Sequence, residues 1–183
     1  EIEDFLEGFN DELKPWVITT KEAPSWHQAM QRLTGFELTR GNRVELLING
    51  EATFHSILDG VRAAQDYVLF QFYMFHDDGL GREVKEALKE RARSGVRVFV
   101  LYDEIGSGGL PDSYIADLRE AGVEVSSFKP TQGWQNRFQL NFRNHRKMVV
   151  VDGKVAWVGG HNVGDEYMGR DPDFSPWRDT HVR

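Results

Sequence analysis

From Tyr67 to Phe75 the chain reads Y-V-L-F-Q-F-Y-M-F, with Gln71 its one strongly polar member. A run this short, nearly all apolar and without period-two alternation, predicts a strand buried on both faces. Its neighbours read as the covering layers. Upstream, Phe54, Ile57, Leu58 and Val61 recur at helical spacing behind a short apolar run from Val44 to Ile48. Downstream, Asp77, Asp78 and Gly79 precede a charged helix from about Arg82 to Ser94, with Val84, Ala87, Leu88 and Ala92 inward and Gly95 at its end. Val96 to Tyr102 predicts the next strand. Gly106 to Gly109 is a glycine-rich loop, Pro111 opens a helix with Ile115 and Leu118 inward, and Val123 to Phe128 is a further strand. Strands alternating with helices predict an α/β fold with a mixed, largely parallel central sheet flanked by helices.

The alternation then stops. Lys129 to Phe142, with Pro130, Gly133 and Trp134, reads as a long loop of the kind that often carries function. Met148 to Val151 and Val155 to Val158 flank Asp152, Gly153 and Lys154, and Asp-Gly between two apolar runs is a strong hairpin signal. Gly169 to Pro176 is a second irregular loop, after which Asp179 to Arg183 begins a strand. Residues 1–40 differ in character, with Pro15, Pro24, Trp16 and Trp26 around short helical stretches; Ser25 is placed to cap a turn carrying Trp26, Met30 and Leu33. The expected organisation is an N-terminal helical and irregular arm over residues 1–40, packing on a body over residues 41–183.

Composition narrows the function classes. The 183 residues suit one domain, and 40% hydrophobic with 28% charged residues is an ordinary globular balance. No window approaches the roughly 18 apolar residues of a spanning helix. The 22 Lys and Arg against 29 Asp and Glu give a net charge of -7, a field that opposes a nucleic-acid partner. Cysteine is absent, which removes disulfides, thiolate metal sites and Cys nucleophiles together.

The chemistry concentrates between Asn144 and Asn162. His145 and Lys147 are two apart at the mouth of a strand, so both side chains lie on one face. An imidazole beside an ammonium suits an anionic substrate, since the first can attack phosphorus and the second can hold a nonbridging oxygen. Asn162 follows the partner strand and returns to the same mouth, while Gly159 and Gly160 allow the backbone close to a ligand. Each residue alone has an ordinary explanation: His145 and Lys147 as surface residues, Asn162 as a turn residue. Asp152 reads most simply as the first residue of the hairpin turn, its carboxylate carried away from His145 by the intervening strand.

H-x-K-x4-D, read as His145, Lys147 and Asp152, followed by G-G-x-N, read as Gly159, Gly160 and Asn162, resembles the HKD motif of the phospholipase D superfamily. Within it, Gly41 to Asn49, Phe70 to Phe75, Leu101 to Gly106, Arg143 to Lys147, Asn162 to Tyr167 and Trp177 to Arg183 resemble bacterial cardiolipin synthases. The resemblance covers roughly Leu33 to the end. It implies a phospholipase D-like half and phosphatidyl transfer between two phosphatidylglycerol molecules, through a phosphohistidine on His145 and with release of glycerol. It further implies Lys147, Gly160 and Asn162 at the phosphate, and Asp179 as the acid that accepts a hydrogen bond from the nucleophilic imidazole. For Asp179 a plain surface position on the strand stands as the alternative.

No metal or cofactor is expected in such chemistry. Synthases of this kind resemble two similar halves, each with its own motif, and only the first motif is present here; His161 and His181 lie in no second H-x-K pattern. The expected partners are therefore a second half in a longer chain or a homodimer mate, a phospholipid, and the bacterial membrane surface, the chain itself being soluble. Alternatives are a single-motif homodimeric phosphodiesterase or nuclease, and an inactive half acting as an interaction module. Trp134, Phe138 and Trp177 are the expected exposed apolar residues beside the site.

Overall fold

A computed structural model of the chain describes residues 14–18, 25–35, 37–128 and 143–183. They fall into two compact units, Glu1–Val44 and Glu45–Arg183. In the first, a 3₁₀ turn at Lys14–Trp16 precedes α1 (Ser25–Thr34), and an antiparallel bridge pairs Val17 with Thr39. The periodic residues Trp26, Met30 and Leu33 of α1 are exposed, and the buried member of this helix is His27. Helical spacing therefore marks the helix correctly here without marking a buried face.

The second unit holds a seven-stranded sheet made of β1 (Leu46–Ile48), β2 (Tyr67–Phe72), β3 (Arg97–Asp103), β4 (Glu124–Phe128), β5 (Met148–Val151), β6 (Val155–Gly159) and β7 (Thr180–Val182). Its helices are α2 (Asn49–Ala63), α3 (Gly79–Arg93) and α4 (Asp112–Glu120), with a 3₁₀ turn at Asp165–Met168. The strand order is β1-β7-β6-β5-β2-β3-β4. The sheet is mixed. Parallel pairing is confined to β2 with β3 and β3 with β4, where helices connect the strands, and the other four ladders are antiparallel. The reason is the hairpin: β5 and β6 reverse through Asp152, Gly153 and Lys154, and β5 docks antiparallel on β2, so no crossover helix is required.

That reversal uses Asp152 at φ 53° and Gly153 at φ 62°. Positive φ at both central residues is the turn that matches strand twist, and Asp-Gly adopts it at low cost. At α3, Asp78 caps the helix by accepting from Gly81 N–H at 2.9 Å.

One face of the sheet is sealed. Val68, Phe70 and Phe72 of β2, Val98 and Val100 of β3, Val149 and Val151 of β5 and Trp157 of β6 join Phe54, Ile57, Val61, Leu80, Val84, Leu88 and Leu118 from the helices in one core. The other face is open: Leu46, Ile48, Leu69, Val158 and Val182 are all exposed. The sheet ladders put them on a common side. The β2 run is thus sealed on one face only; on the other, Leu69 is exposed and Tyr67 and Gln71 are half-buried. Among the described residues no helix is long and apolar enough to cross a membrane.

The topology gathers the sequence-marked residues. The C-terminal ends of β2, β3 and β6 and the N-terminal ends of β5 and β7 lie at one edge of the sheet, where open α/β sheets bind their ligands.

Candidate active site

His145 and Lys147 sit just before β5. Lys147 Nζ lies 3.0 Å from each imidazole nitrogen and 3.0 Å from the His145 carbonyl oxygen. A position equidistant from both ring nitrogens lies over the ring face and not along either in-plane lone pair, so the ammonium acts on the imidazole through its charge. Lys147 is buried while the His145 residue stays exposed. Burial lowers the lysine pKa, and the Asp179 carboxylate pulls it back. Partial burial and then the Lys147 charge hold His145 below the ordinary histidine value, with Asp103 acting in the opposite sense. A neutral imidazole beside a cation is the state a nucleophile needs when it attacks an anionic phosphodiester.

Tyr73 closes one side of this pair. Its ring centroid is 4.7 Å from that of His145, and Lys147 Nζ lies 5.4 Å from the Tyr73 ring centre.

Asn162 comes to the same edge from β6 and is buried. Its Oδ1 accepts from Met74 N–H at 3.2 Å and its Nδ2 donates to Tyr167 Oη at 2.8 Å. One N–H of the amide is left to offer a ligand. Gly160 is glycine because of a close approach: a Cβ there would lie 2.2 Å from Asp179 Oδ1. Asp179 is half-buried and accepts from Thr180 N–H at 2.7 Å. Its charge acts on Lys147, His161 and His181. Among the described residues no hydrogen bond joins it to His145.

Asp152 stands at the far end of the hairpin. Its carboxylate accepts from the backbone N–H groups of Gln65, Asp66 and Tyr67 at 2.9, 2.8 and 2.9 Å. The motif acid is thus a brace between the hairpin turn and the start of β2. Burial pulls its pKa up, but the N–H groups of Tyr67, Asp66 and Gln65, with Lys154, take it below the usual carboxylate value.

Several residues at the site carry no motif signal. Asp103, fully buried at the end of β3, accepts from Asn144 N–H, and Gln71 Nε2 donates to Asn144 Oδ1 at 2.8 Å. An acid ending an apolar strand just before a glycine-rich loop is the sequence signal that would have found Asp103. His161 and His181 form a buried pair with Nδ1 atoms 3.0 Å apart, and burial with the charges of His161 and Lys147 pushes His181 down to about 4. His76, Asp78 and Glu166 form a separate group whose ligand atoms fall within 4.8 Å of one another. Both Asp78 oxygens there are engaged by backbone N–H groups, of Gly81 and Asp165. Of the expected exposed apolar residues, Trp177 is half-buried and meets Tyr167 edge-on at 4.8 Å, while Trp134 and Phe138 lie outside the described residues.

A family model described as "Cardiolipin synthase, PLD-like domain" matches residues 57–173. The chain belongs to that family. Cardiolipin synthase A of Pseudomonas putida strain GB-1 and that of Pseudomonas fluorescens strain SBW25 are each 51% identical to it over 175 residues. Those matches take in 93% of this chain and 36% of each relative, so the chain spans about a third of the synthases it resembles. Among solved structures, NucT from Helicobacter pylori matches with a TM-score of 0.58 at 18% identity, over 76% of this chain and 83% of that one. Phosphatidylserine synthase from Haemophilus influenzae Rd KW20 matches with a TM-score of 0.53 at 16% identity, over 80% of this chain and 36% of that one. These two establish the fold, that of a phospholipase D-like α/β sheet.

Proposed function

We propose that this chain is the first phospholipase D-like half of a cardiolipin synthase, with His145 as the nucleophile in phosphatidyl transfer. A neutral imidazole nitrogen attacks the phosphorus of phosphatidylglycerol, the bond from phosphorus to the glycerol head group breaks, and a general acid that the second half would supply protonates the departing glycerol oxygen. The hydroxyl of a second phosphatidylglycerol then attacks the phosphorus, giving its proton back to that same group, the P–N bond breaks, and cardiolipin is released. Lys147 holds a nonbridging oxygen, Asn162 donates its remaining N–H, and the backbone at Gly160 lies close to the phosphate. Asp179 balances the charge of Lys147. The chemistry uses these side chains without a metal or cofactor.

The observation that carries the reading is the Lys147 ammonium standing 3.0 Å from both nitrogens of the His145 imidazole. The ring lone pair lies in the ring plane and stays free for phosphorus, while the ammonium beside the ring is placed to hold a phosphate oxygen. The half-enzyme role is supported by the 36% coverage of the relatives and by the open apolar face of the sheet, which the rest of such a polypeptide would cover. The full-length protein then works at the bacterial membrane surface, where its phospholipid substrate resides.

The test is turnover of labelled phosphatidylglycerol by the full-length protein, with rapid quenching in detergent denaturant at neutral pH to trap a phosphatidyl group on His145. A cardiolipin product together with an acid-labile label on His145, both insensitive to EDTA, supports the proposal. Activity abolished by chelation alone would overturn it.

A further inference from the structure

The geometry points to Asp103 as the positioning residue of His145: its buried carboxylate fastens the segment that presents the imidazole to the end of β3 and opposes the Lys147 charge acting on the ring. This rests on the proposed role of His145 as nucleophile.

Asp103 is 0% exposed, and a buried carboxylate persists only when its oxygens are filled. Oδ1 accepts from Ile105 N–H at 2.9 Å and Gly106 N–H at 3.1 Å, which shapes the turn after β3. A neutral amide oxygen would serve that turn equally well. Oδ2 does something else. It accepts from the backbone N–H of Asn144 at 2.9 Å, 41 residues further along the chain. Asn144 immediately precedes His145, and its side chain is tied in turn to Gln71 of β2.

The residue before the imidazole is thus held by its backbone from β3 and by its side chain from β2. Tyr73, at the end of β2, lies against the ring, so the direction of the imidazole is set by β2 and β3.

The charges divide in the same way. His145 is faced by Lys147 from its own segment, by Asp103 from β3 and by the Tyr73 ring from the end of β2. Asp179, at the start of β7, acts instead on Lys147, His161 and His181. Two carboxylates serve the two motif side chains separately: Asp179 the lysine and Asp103 the histidine.

The experiment compares the 183-residue chain with Asp103→Asn and Gln71→Leu, following the His145 imidazole through pH by NMR. In parallel, bis(p-nitrophenyl) phosphate serves as the labelling probe at each pH, because p-nitrophenolate leaves without a general acid. Removing a negative charge disfavours the imidazolium. The His145 midpoint in Asp103→Asn is therefore expected to fall by at least about half a pH unit, and the acidic limb of labelling to move down with it. Gln71→Leu releases only the Asn144 side chain, so labelling slows about threefold or more while the limb stays in place.

An Asp103→Asn chain that is folded by its amide spectrum, titrates at the parental midpoint and labels at the parental rate overturns the proposal. If that variant does not fold, the parent decides. An Asn144 N–H bound to a buried carboxylate is protected from exchange and shifted downfield, and an unprotected, unshifted amide overturns the assignment. Failure of the parent itself to label His145 would count against the nucleophile and leave the titration to judge Asp103.

Discussion

At the closed end of the β5–β6 hairpin, Asp152 receives three backbone N–H groups, and its pKa lies below the usual carboxylate value. At the open end, Lys147 is buried with its pKa lowered, against an imidazole whose pKa is lowered too. One motif supplies both ends, and the fold treats their charges in opposite ways. A lowered carboxylate pKa means the folded state prefers the ion, so Asp152 stabilises the fold. A lowered lysine pKa means the folded state disfavours the ion, so Lys147 is held at a cost to stability. On the proposed reading, the chemistry sits where the fold disfavours a charge, and the brace stands where the fold favours one.

The sharpest way to break this contrast is at the open end. His145→Asn should reduce phosphatidyl transfer by about 10³-fold or more while leaving thermal stability close to the parent, because the residue is exposed. Lys147→Met should reduce transfer by roughly 10²- to 10³-fold, the scale of one lost charge stabiliser. The same substitution should leave the melting temperature unchanged or raise it, since it replaces a buried charge by an apolar chain of similar length. Calorimetry beside a transfer assay separates the two effects. A lower melting temperature for Lys147→Met would show that the ammonium supports the fold and would erase the contrast.

Asp152→Ala should do the reverse. Loss of a charged acceptor of three N–H groups should cost about 2 kcal/mol, a drop of roughly 4–8 °C for a chain of this size, with labelling of His145 changed less than about threefold. Its contribution carries a pH signature. The folded pKa is depressed, so the stabilisation is fully present above the unfolded value of about 3.9 and is lost as pH falls through the lower folded value. Urea midpoints measured from pH 6 to pH 2 should show that loss in the parent and lack it in Asp152→Ala. Equal acid sensitivity in both chains would mean the brace lies elsewhere.

What the sequence makes legible follows from how local each cause is. The hairpin is legible because Asp152 and Gly153 alone satisfy the positive φ of the turn, and the pairing of His145 with Lys147 because strand period needs only their spacing. Asp152 as a turn residue directed away from His145 follows from the same reasoning. Contacts that close long loops are not legible: Asp103 meets Asn144 across 41 residues and Gln71 meets it across 73. Coverage of the sheet escapes for a different reason. Leu69 and Val158 are as apolar as Phe70 and Trp157, yet the first two are exposed and the second two buried. Hydrophobicity reports that a face wants a cover and carries no information on which segment provides it. The same holds for Trp26, Met30 and Leu33 of α1.

The smallest expected effect probes the wall between the two ends. Tyr73 touches His145 with its ring and lies under the Lys147 ammonium, and among the described residues its phenol makes no hydrogen bond. An aromatic face next to a cation contributes about 0.5–1 kcal/mol at a partly exposed position. Tyr73→Phe keeps the face and should label His145 at the parental rate. Tyr73→Leu removes both the cation contact and the ring wall, so labelling should slow about two- to fivefold, by that energy at 298 K. Lys147 would also lose a partner for its charge, so its pKa should fall further, which lysine Nζ NMR can follow. A Tyr73→Phe chain as slow as Tyr73→Leu would place the function of Tyr73 in its hydroxyl, and the open end of the hairpin would then need a third polar group in its account.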